Sequence, residues 1–152
     1  MTYLFFDIEC ANSFGGIGKI CSFGYVLCQE AEDGSGFTVL ETDDILMNPQ
    51  APFDWYLFKP GSKCRLSYSK EEYRSRPPFS AFYQRIQDLL SADDRRVIGF
   101  GCRNDVAAIV SESLRYQLPL PRLAVYDIHP LLEQFYESQG GLGAFVEKLG
   151  ID

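Results

Sequence analysis

Two carboxylates one residue apart, Asp7 and Glu9, close the first apolar run of the chain, residues 2–8. Residues two apart on a β-strand face the same side of the sheet. Two carboxylates in such a half-buried position repel each other, and a divalent cation removes that repulsion. Their hard oxygen atoms suit Mg²⁺ or Mn²⁺. The pair therefore indicates a metal site, although two ordinary acids on a solvated strand end would leave the same pattern.

Two further acids follow later apolar runs. Asp105 comes just after residues 96–100, where a helix is expected to begin, and Asp127 lies near the end of residues 123–128. Functional groups collect at strand ends in open α/β sheets. Simpler interpretations stay open for both acids. The helix dipole favours an acid in a first turn, and Asp127 could cap the helix that Pro130 starts.

The elements that must position these acids follow from the apolar pattern. Residues 19–28 and 37–47 predict a second and a third strand, joined to the first by short connections as an antiparallel meander. Residues 96–100 and 123–128 predict two more strands, each followed by a helix. A meander followed by β-α-β-α units predicts a mixed α/β sheet of five strands. We expect the first strand at its centre and the second antiparallel to it.

Four helices are predicted in the second half of the chain. The helix that follows Pro77 and Pro78 has an apolar stripe made of Phe79, Phe82, Tyr83, Ile86, Leu89 and Leu90. The next helix has a predicted buried stripe of Val106, Ile109, Val110 and Leu114. Two shorter helices are predicted from Pro130 and around Phe145, the last ending at Gly150.

In order and spacing these segments resemble the DEDD superfamily of 3′–5′ exonucleases, in the branch that contains proofreading subunits of polymerases and oligoribonucleases. Asp7 and Glu9 match its first motif, residues 99–105 (Gly-Phe-Gly-Cys-Arg-Asn-Asp) resemble its second, and residues 126–128 resemble a later Asp-Thr step. The resemblance covers essentially the whole chain. It implies a single ribonuclease H-like domain over residues 1–152, with a mixed five-stranded sheet flanked by helices.

The resemblance also implies an activity and the residues that perform it. The reaction is hydrolysis of the 3′-terminal phosphodiester of single-stranded DNA or RNA, with two ions of Mg²⁺ or Mn²⁺. Asp7 would bridge both ions, Glu9 would hold the ion that carries the attacking water, and Asp105 would act on the second ion. The substrate-binding positions implied by the same motifs are Cys10, Ala11, Phe100 and Asp127. Cys10 stands where the family has Thr, and Phe100 and Gly101 stand where it has His and Asn.

The family's last motif, His-x4-Asp on a helix, is absent from residues 1–152. His129, the single histidine, has Gln134 five positions on and is interpreted as structural. We expect the natural protein to continue for a few tens of residues that contain the motif. Residues 1–152 alone should be close to inactive, because a positioned general base contributes about 10²–10⁴-fold. Without the family's C-terminal helix, we expect an uncovered apolar sheet face and a homodimer through it.

Composition bounds the remaining choices. The net charge of −7 argues against nucleic acid, but 6 of the 14 Lys and Arg lie in residues 59–76. Aromatic residues are interleaved with them from residue 53 on, which suits single-strand binding, or a surface loop whose aromatics cover the sheet edge. The chain has neither an apolar run near ~20 residues nor a secretory signal, so a cytoplasmic protein is expected. Five scattered cysteines without a CxxC pair are interpreted as reduced thiols.

Two other functions remain open on the sequence alone. One is a catalytically inactive nucleic-acid-binding module with an exonuclease fold, since such a protein could lose the last motif. The other is a structural α/β domain whose strand-end acids are coincidental. The structural domain would bind no metal at the acids, whereas the exonuclease would. The nucleic-acid-binding module would bind a strand without hydrolysing it.

Overall fold

The computed structural model describes residues 1–13, 17–137 and 139–151. One mixed sheet runs through it, and its strands are Thr2–Cys10 (β1), Ile20–Glu30 (β2), Phe37–Leu46 (β3), Arg95–Gly99 (β4) and Val125–Asp127 (β5). Their order across the sheet is β3-β2-β1-β4-β5. β2 is antiparallel to β1 and β3, whereas β4 is parallel to β1 and β5. The prediction of a five-stranded mixed sheet with the first strand at its centre is confirmed.

Helices flank the sheet. They are Lys70–Arg74 (α1), Phe79–Ser91 (α2), Arg103–Arg115 (α3), His129–Tyr136 (α4) and Leu142–Lys148 (α5), with a 3₁₀ turn at Trp55–Phe58. Within the described residues, none of these helices has the length and apolarity that crossing a membrane requires.

The main core lies between one sheet face and helices α2 and α3. Alternate residues of β1 (Leu4, Phe6 and Ile8) are buried in it, as expected for a strand with one covered face. The apolar stripe predicted for α2 is confirmed, since Phe79, Tyr83, Ile86, Leu89 and Leu90 are buried there. Burying each such side chain contributes about 1.5–3 kcal/mol relative to leaving it exposed.

The stripe predicted for α3 is confirmed at Ile109, holds in part at the half-buried Val106 and Val110, and is wrong at Leu114. The helix buries Ala108, Ile109, Glu112 and Ser113, whereas Leu114 is 61% exposed. Small residues at 108 and 113 suit a face that lies close against its neighbours. The fully buried Glu112 is paired with Arg115, whose Nη1 lies 3.2 Å from its Oε1. An apolar periodicity cannot detect a face of this kind, because it counts Glu and Ser as exposed.

A second, smaller core attaches residues 53–76 to the sheet. It contains Cys21 and Leu46 from the strands and Leu57, Leu66 and Tyr73 from the segment. Part of this segment therefore covers the sheet, as the surface-loop interpretation predicted. Its exposed rings are Trp55, at 73% exposure, and Tyr68, at 37%.

β3 forms one edge of the sheet and has two chemically different halves. Its first half carries Phe37, Val39 and Leu40, which are each more than half exposed. Its second half carries the exposed acids Glu41, Asp43 and Asp44. Arg85 of α2 contacts two of these acids, with its Nη2 3.5 Å from Glu41 and 2.8 Å from Asp43.

Candidate active site

The two acids of β1 lie side by side on the face opposite the main core. Asp7 pairs across the sheet with Gly24 of β2, and Gly24 pairs in turn with Asp44 of β3. Asp7 and Asp44 therefore share one row of the sheet, with a residue that has no side chain between them. Glu9 pairs with Ser22, whose hydroxyl donates a hydrogen bond to the Asp44 carboxylate. The sequence interpretation missed Asp44, because an acid on an exposed edge strand carries no distinguishing pattern.

These carboxylates lie in a negatively charged environment and are in part exposed to solvent. Partial burial raises the pKa of Asp7 and the charge of Asp44 raises it further, whereas a backbone hydrogen bond from Ile8 lowers it. The pKa of Glu9 is raised by burial, by Asp7 and by Asp44. A charged form that is both desolvated and repelled by like charges is one that a cation would stabilise.

The loop between β4 and α3 leads to a third acid. It follows the carboxyl end of β4, which lies at the same end of the sheet as the carboxyl end of β1. A Cβ atom at Gly99 would lie 2.5 Å from the Cβ of Cys102, so only glycine fits there. Gly101 has φ of +57°, a left-handed conformation that glycine adopts without strain. The resulting tight turn starts α3 at Arg103 and places Asp105 in its first turn.

The charges of the β1 acids act on Asp105. Burial, followed by the charges of Asp7, Glu9 and Asp127, raises its pKa to about 7. The β1 acids and Asp105, from two distant parts of the chain, are thus near enough for Asp7 and Glu9 to change the ionisation of Asp105.

The convergence of the three carboxylates within a few ångströms stays a prediction. Among the described residues, no three His, Cys, Asp or Glu side chains form a group that could hold a metal ion. The chemistry of the donors still suits a hard divalent cation, because all are carboxylates and none has a basic ion-pair partner in the described part of the chain.

Asp127 is held by the backbone. Its Oδ1 accepts hydrogen bonds from the N–H groups of Gly101 (2.8 Å) and His129 (3.0 Å), and its Oδ2 accepts one from Cys102 (3.2 Å). Burial raises its pKa, but these three N–H donors outweigh burial and lower it overall. The carboxylate therefore fixes the loop that precedes α3, and Asp105 lies in the first turn of that helix. The substrate contact inferred from the family resemblance stays a prediction.

The two residues after Glu9 are packed against protein. Ala11 is fully buried, its N–H donates to Lys19, and its carbonyl accepts from the N–H of Asp54 at 2.8 Å. Cys10 is partly buried, and burial together with nearby acids, Asp105 first, raises the pKa of its thiol to about 12. It therefore stays a neutral thiol at physiological pH. Substrate contacts by Cys10 and Ala11 stay predictions.

Phe100 and His129 form part of an aromatic cluster beside the site. Their ring centroids lie 4.3 Å apart, and both rings contact Phe145 of α5 at 6.2 Å. The Nε2 of His129 lies 2.9 Å from the carbonyl oxygen of Gly140 and 3.2 Å from Glu133. These contacts are consistent with the structural role expected for this histidine.

A cavity of about 520 Å³ opens on the site face of the sheet. Asp7, Glu9 and Asp44 lie on its wall, and Phe100 borders it. Much of its surface is apolar, with contributions from Phe5, Val26, Ile98, Ile128 and Leu142. The uncovered apolar sheet face and the homodimer through it stay predictions.

Comparisons with known proteins identify the fold. No family model matches the sequence, and no curated protein sequence matches it. Solved structures of exonuclease I do match. E. coli exonuclease I in complex with a dT13 oligonucleotide has a TM-score of 0.64 at 20% identity, over 89% of this chain and 29% of that chain.

Two further structures of exonuclease I cover nearly all of this chain. One, described as suggesting how processivity is achieved, has a TM-score of 0.73 at 16% identity, over 99% of this chain and 36% of that chain. The product-bound structure has a TM-score of 0.72 at 18% identity, over 99% and 39%. The chain thus has the fold of part of exonuclease I and spans between 29% and 39% of its length.

Proposed function

We propose that this chain is part of a DEDD-type, metal-dependent 3′–5′ exonuclease of the His-x4-Asp branch, acting on the terminal phosphodiester of single-stranded DNA or RNA. The observation that carries the proposal is that Asp7 and Glu9 near the carboxyl end of β1 and Asp105 in the first turn of α3 lie close enough for the charges of the two β1 acids to raise the pKa of Asp105. The fold, similar to that of exonuclease I, supports it. A cytoplasmic location and the DEDD assignment rest on the sequence.

Asp7, Glu9 and Asp105 are the residues that would hold Mg²⁺ or Mn²⁺. Two such ions, when bound, would supply an activated water and stabilise charge on the leaving oxygen. The contribution of the chain itself is a desolvated set of carboxylates that favours a cation. The Gly99–Gly101 turn and the Asp127 carboxylate position the first turn of α3, and with it Asp105.

Residues 1–152 contain no His-x4-Asp segment, so they supply no histidine base of the family type for the attacking water. We therefore expect a longer chain with that motif to release a 3′ label from a single strand in Mg²⁺. Residues 1–152 should do so about 10²–10⁴-fold more slowly. Equal rates would contradict the mechanism.

The matched test within residues 1–152 is a gel assay on a 5′-labelled single strand in Mn²⁺. Slow, stepwise shortening from the 3′ end is expected, and Asp7→Asn and Glu9→Gln should abolish it. The control is Asp94→Asn, at an exposed residue where β1 and β4 begin, at the opposite end of the sheet. Shortening that persists in Asp7→Asn would contradict the assignment.

The alternative is a nucleic-acid-binding module without catalysis. It predicts that the same strand binds, that no shortening occurs under any metal, and that Asp7→Asn leaves binding unchanged. The purely structural alternative predicts neither metal binding nor strand binding.

A further inference from the structure

The cavity beside Asp7 and Glu9 has a second groove next to it. This groove, about 420 Å³, lies between the 3₁₀ turn and α1 and is lined by Phe58 and residues 65–72. Ser67 borders both cavities. The cavity of the β1 acids and the groove of the segment that carries 6 of the 14 basic residues are therefore neighbours, with Ser67 between them.

Cations of this segment are available to an anionic ligand. Among the described residues, none of the six Lys and Arg side chains in residues 59–76 forms an ion pair with a carboxylate. Two of them, Arg65 and Lys70, line the second groove. Glu71 and Glu72 line it too, but Glu72 belongs to a capping box, in which its carboxylate accepts from the Ser69 N–H at 2.8 Å. Phosphate contacts in single-strand binding use such unpaired cations.

Aromatic rings accompany these cations. Tyr68 is 37% exposed and lies edge-on against the buried ring of Tyr73, with centroids 6.0 Å apart. Phe58 lines the groove, and the Nζ of Lys70 lies 5.2 Å from its ring centroid. Exposed rings held in place beside cations are the arrangement with which proteins stack single-stranded bases without regard to sequence.

The opposite side of the first cavity repels a polyanion. Asp43 and Asp44 of β3 border it, and only Asp43 of the two has an ion-pair partner among the described residues, Arg85. A strand with its 3′ end at Asp7 and Glu9 would meet further negative charge if it left across β3. It would meet positive charge if it left past Ser67.

The second groove is also fixed relative to the acids. The N–H of Asp54 donates to the carbonyl of Ala11 at 2.8 Å, and the side-chain amide of Asn12 donates to the carbonyl of Pro52 at 2.6 Å. The smaller core around Leu57, Leu66 and Tyr73 anchors the rest of the segment to β2 and β3. A ligand in the groove therefore lies at a set distance from Glu9.

We propose that the second groove binds the nucleotides that precede the 3′ end of a single strand. Arg65 and Lys70 contact phosphates, and Tyr68 stacks on a base. This inference rests on the proposed function, which places the 3′ end at Asp7 and Glu9. It adds the path by which the strand leaves the site.

The test is fluorescence anisotropy of the whole chain with 5′-labelled oligothymidylates of about 3 and about 12 nucleotides, in EDTA and over a range of salt. The longer strand should bind more tightly. Arg65→Gln with Lys70→Gln should weaken it about tenfold at low salt and reduce the slope of log K against log salt by about 1.4, or ~0.7 for each lost phosphate contact. Tyr68→Ala should weaken binding about tenfold with the slope unchanged, and Tyr68→Phe should keep it.

Arg96→Gln is the matched control, since Arg96 is exposed and lies at the opposite end of the sheet, paired with Tyr3. Equal affinity for both lengths, or an effect of the groove variants no larger than that of Arg96→Gln, overturns the inference. The inference is also overturned if polyglutamate competes as effectively as unlabelled oligothymidylate and Tyr68→Ala has no effect. That result would identify an acidic polypeptide as the ligand. The two proposals can fail separately. If the strand is shortened in the presence of metal but the groove variants bind it normally, the groove inference is refuted and the proposed function stands. If binding depends on the groove but no shortening occurs, the proposed function is refuted and the groove inference stands.

Discussion

Two acids follow neighbouring parallel strands, Asp105 beyond β4 and Asp127 at the end of β5, and their carboxylates have opposite surroundings. Asp127 accepts three backbone hydrogen bonds, and its pKa is lowered despite burial. Asp105 is desolvated among like charges, and its pKa is raised to about 7. The comparison teaches that strand-end position alone does not identify a functional acid. The partners of the carboxylate decide whether it stabilises the fold or attracts a cation.

The largest expected effect is the response to Mn²⁺. At about 100 times its dissociation constant, a bound ion stabilises the fold by roughly 2.7 kcal/mol. Asp7→Asn and Asp105→Asn should lose that stabilisation, because they remove carboxylates from the set that favours a cation. Asp127→Asn and Asp94→Asn should keep it. Thermal unfolding with and without Mn²⁺ measures the difference within each variant, and loss of the response in Asp127→Asn would erase the distinction between the two acids.

The next effect concerns the fold. Asp127→Ala leaves three backbone N–H groups without their acceptor and should cost about 1 kcal/mol of unfolding free energy, as the loss of a helix cap does. Because the pKa of Asp127 is lowered, its stabilisation is present at neutral pH and is lost as the pH falls through that lowered value. Urea denaturation at pH 7 measures the cost. Asp127→Asn, which keeps one acceptor oxygen, should cost less, and an unchanged midpoint in Asp127→Ala would contradict the structural role.

A third effect is a gain in stability that depends on pH. The pKa of Asp105 is raised in the folded protein. Its contribution to the free energy of unfolding is therefore greatest below the ordinary aspartate pKa of 3.8 and is lost as the pH rises towards about 7. Asp105→Asn carries no charge to desolvate. Without metal it should therefore melt above the wild type at pH 8, with a difference that shrinks as the pH falls towards 4. A difference in melting temperature that does not vary with pH would show that folding does not raise the pKa of Asp105.

The sequence was sufficient for the sheet and for the strand that carries Asp7 and Glu9, because apolar runs and their order constrain strand pairing strongly. It was sufficient for α2, whose buried residues are all aliphatic or aromatic. It failed for α3, where burial of Glu112 depends on Arg115, and Arg115 also donates to the carbonyls of Pro49 and Gln50. It missed Asp44 for a related reason. The position of Asp44 opposite Gly24 is a property of strand register, which no local pattern encodes.

The divided edge strand β3 has a consequence for handling the protein. Exposed edge strands are templates for strand addition, and charges along them are a common protection against aggregation. Here Phe37, Val39 and Leu40 have no such charges among them, so protection falls to Glu41, Asp43 and Asp44 farther along the strand. As the pH approaches the isoelectric point near 4.7, net repulsion between molecules disappears. Purification and storage at mildly alkaline pH would keep these acids charged and the edges of neighbouring molecules apart.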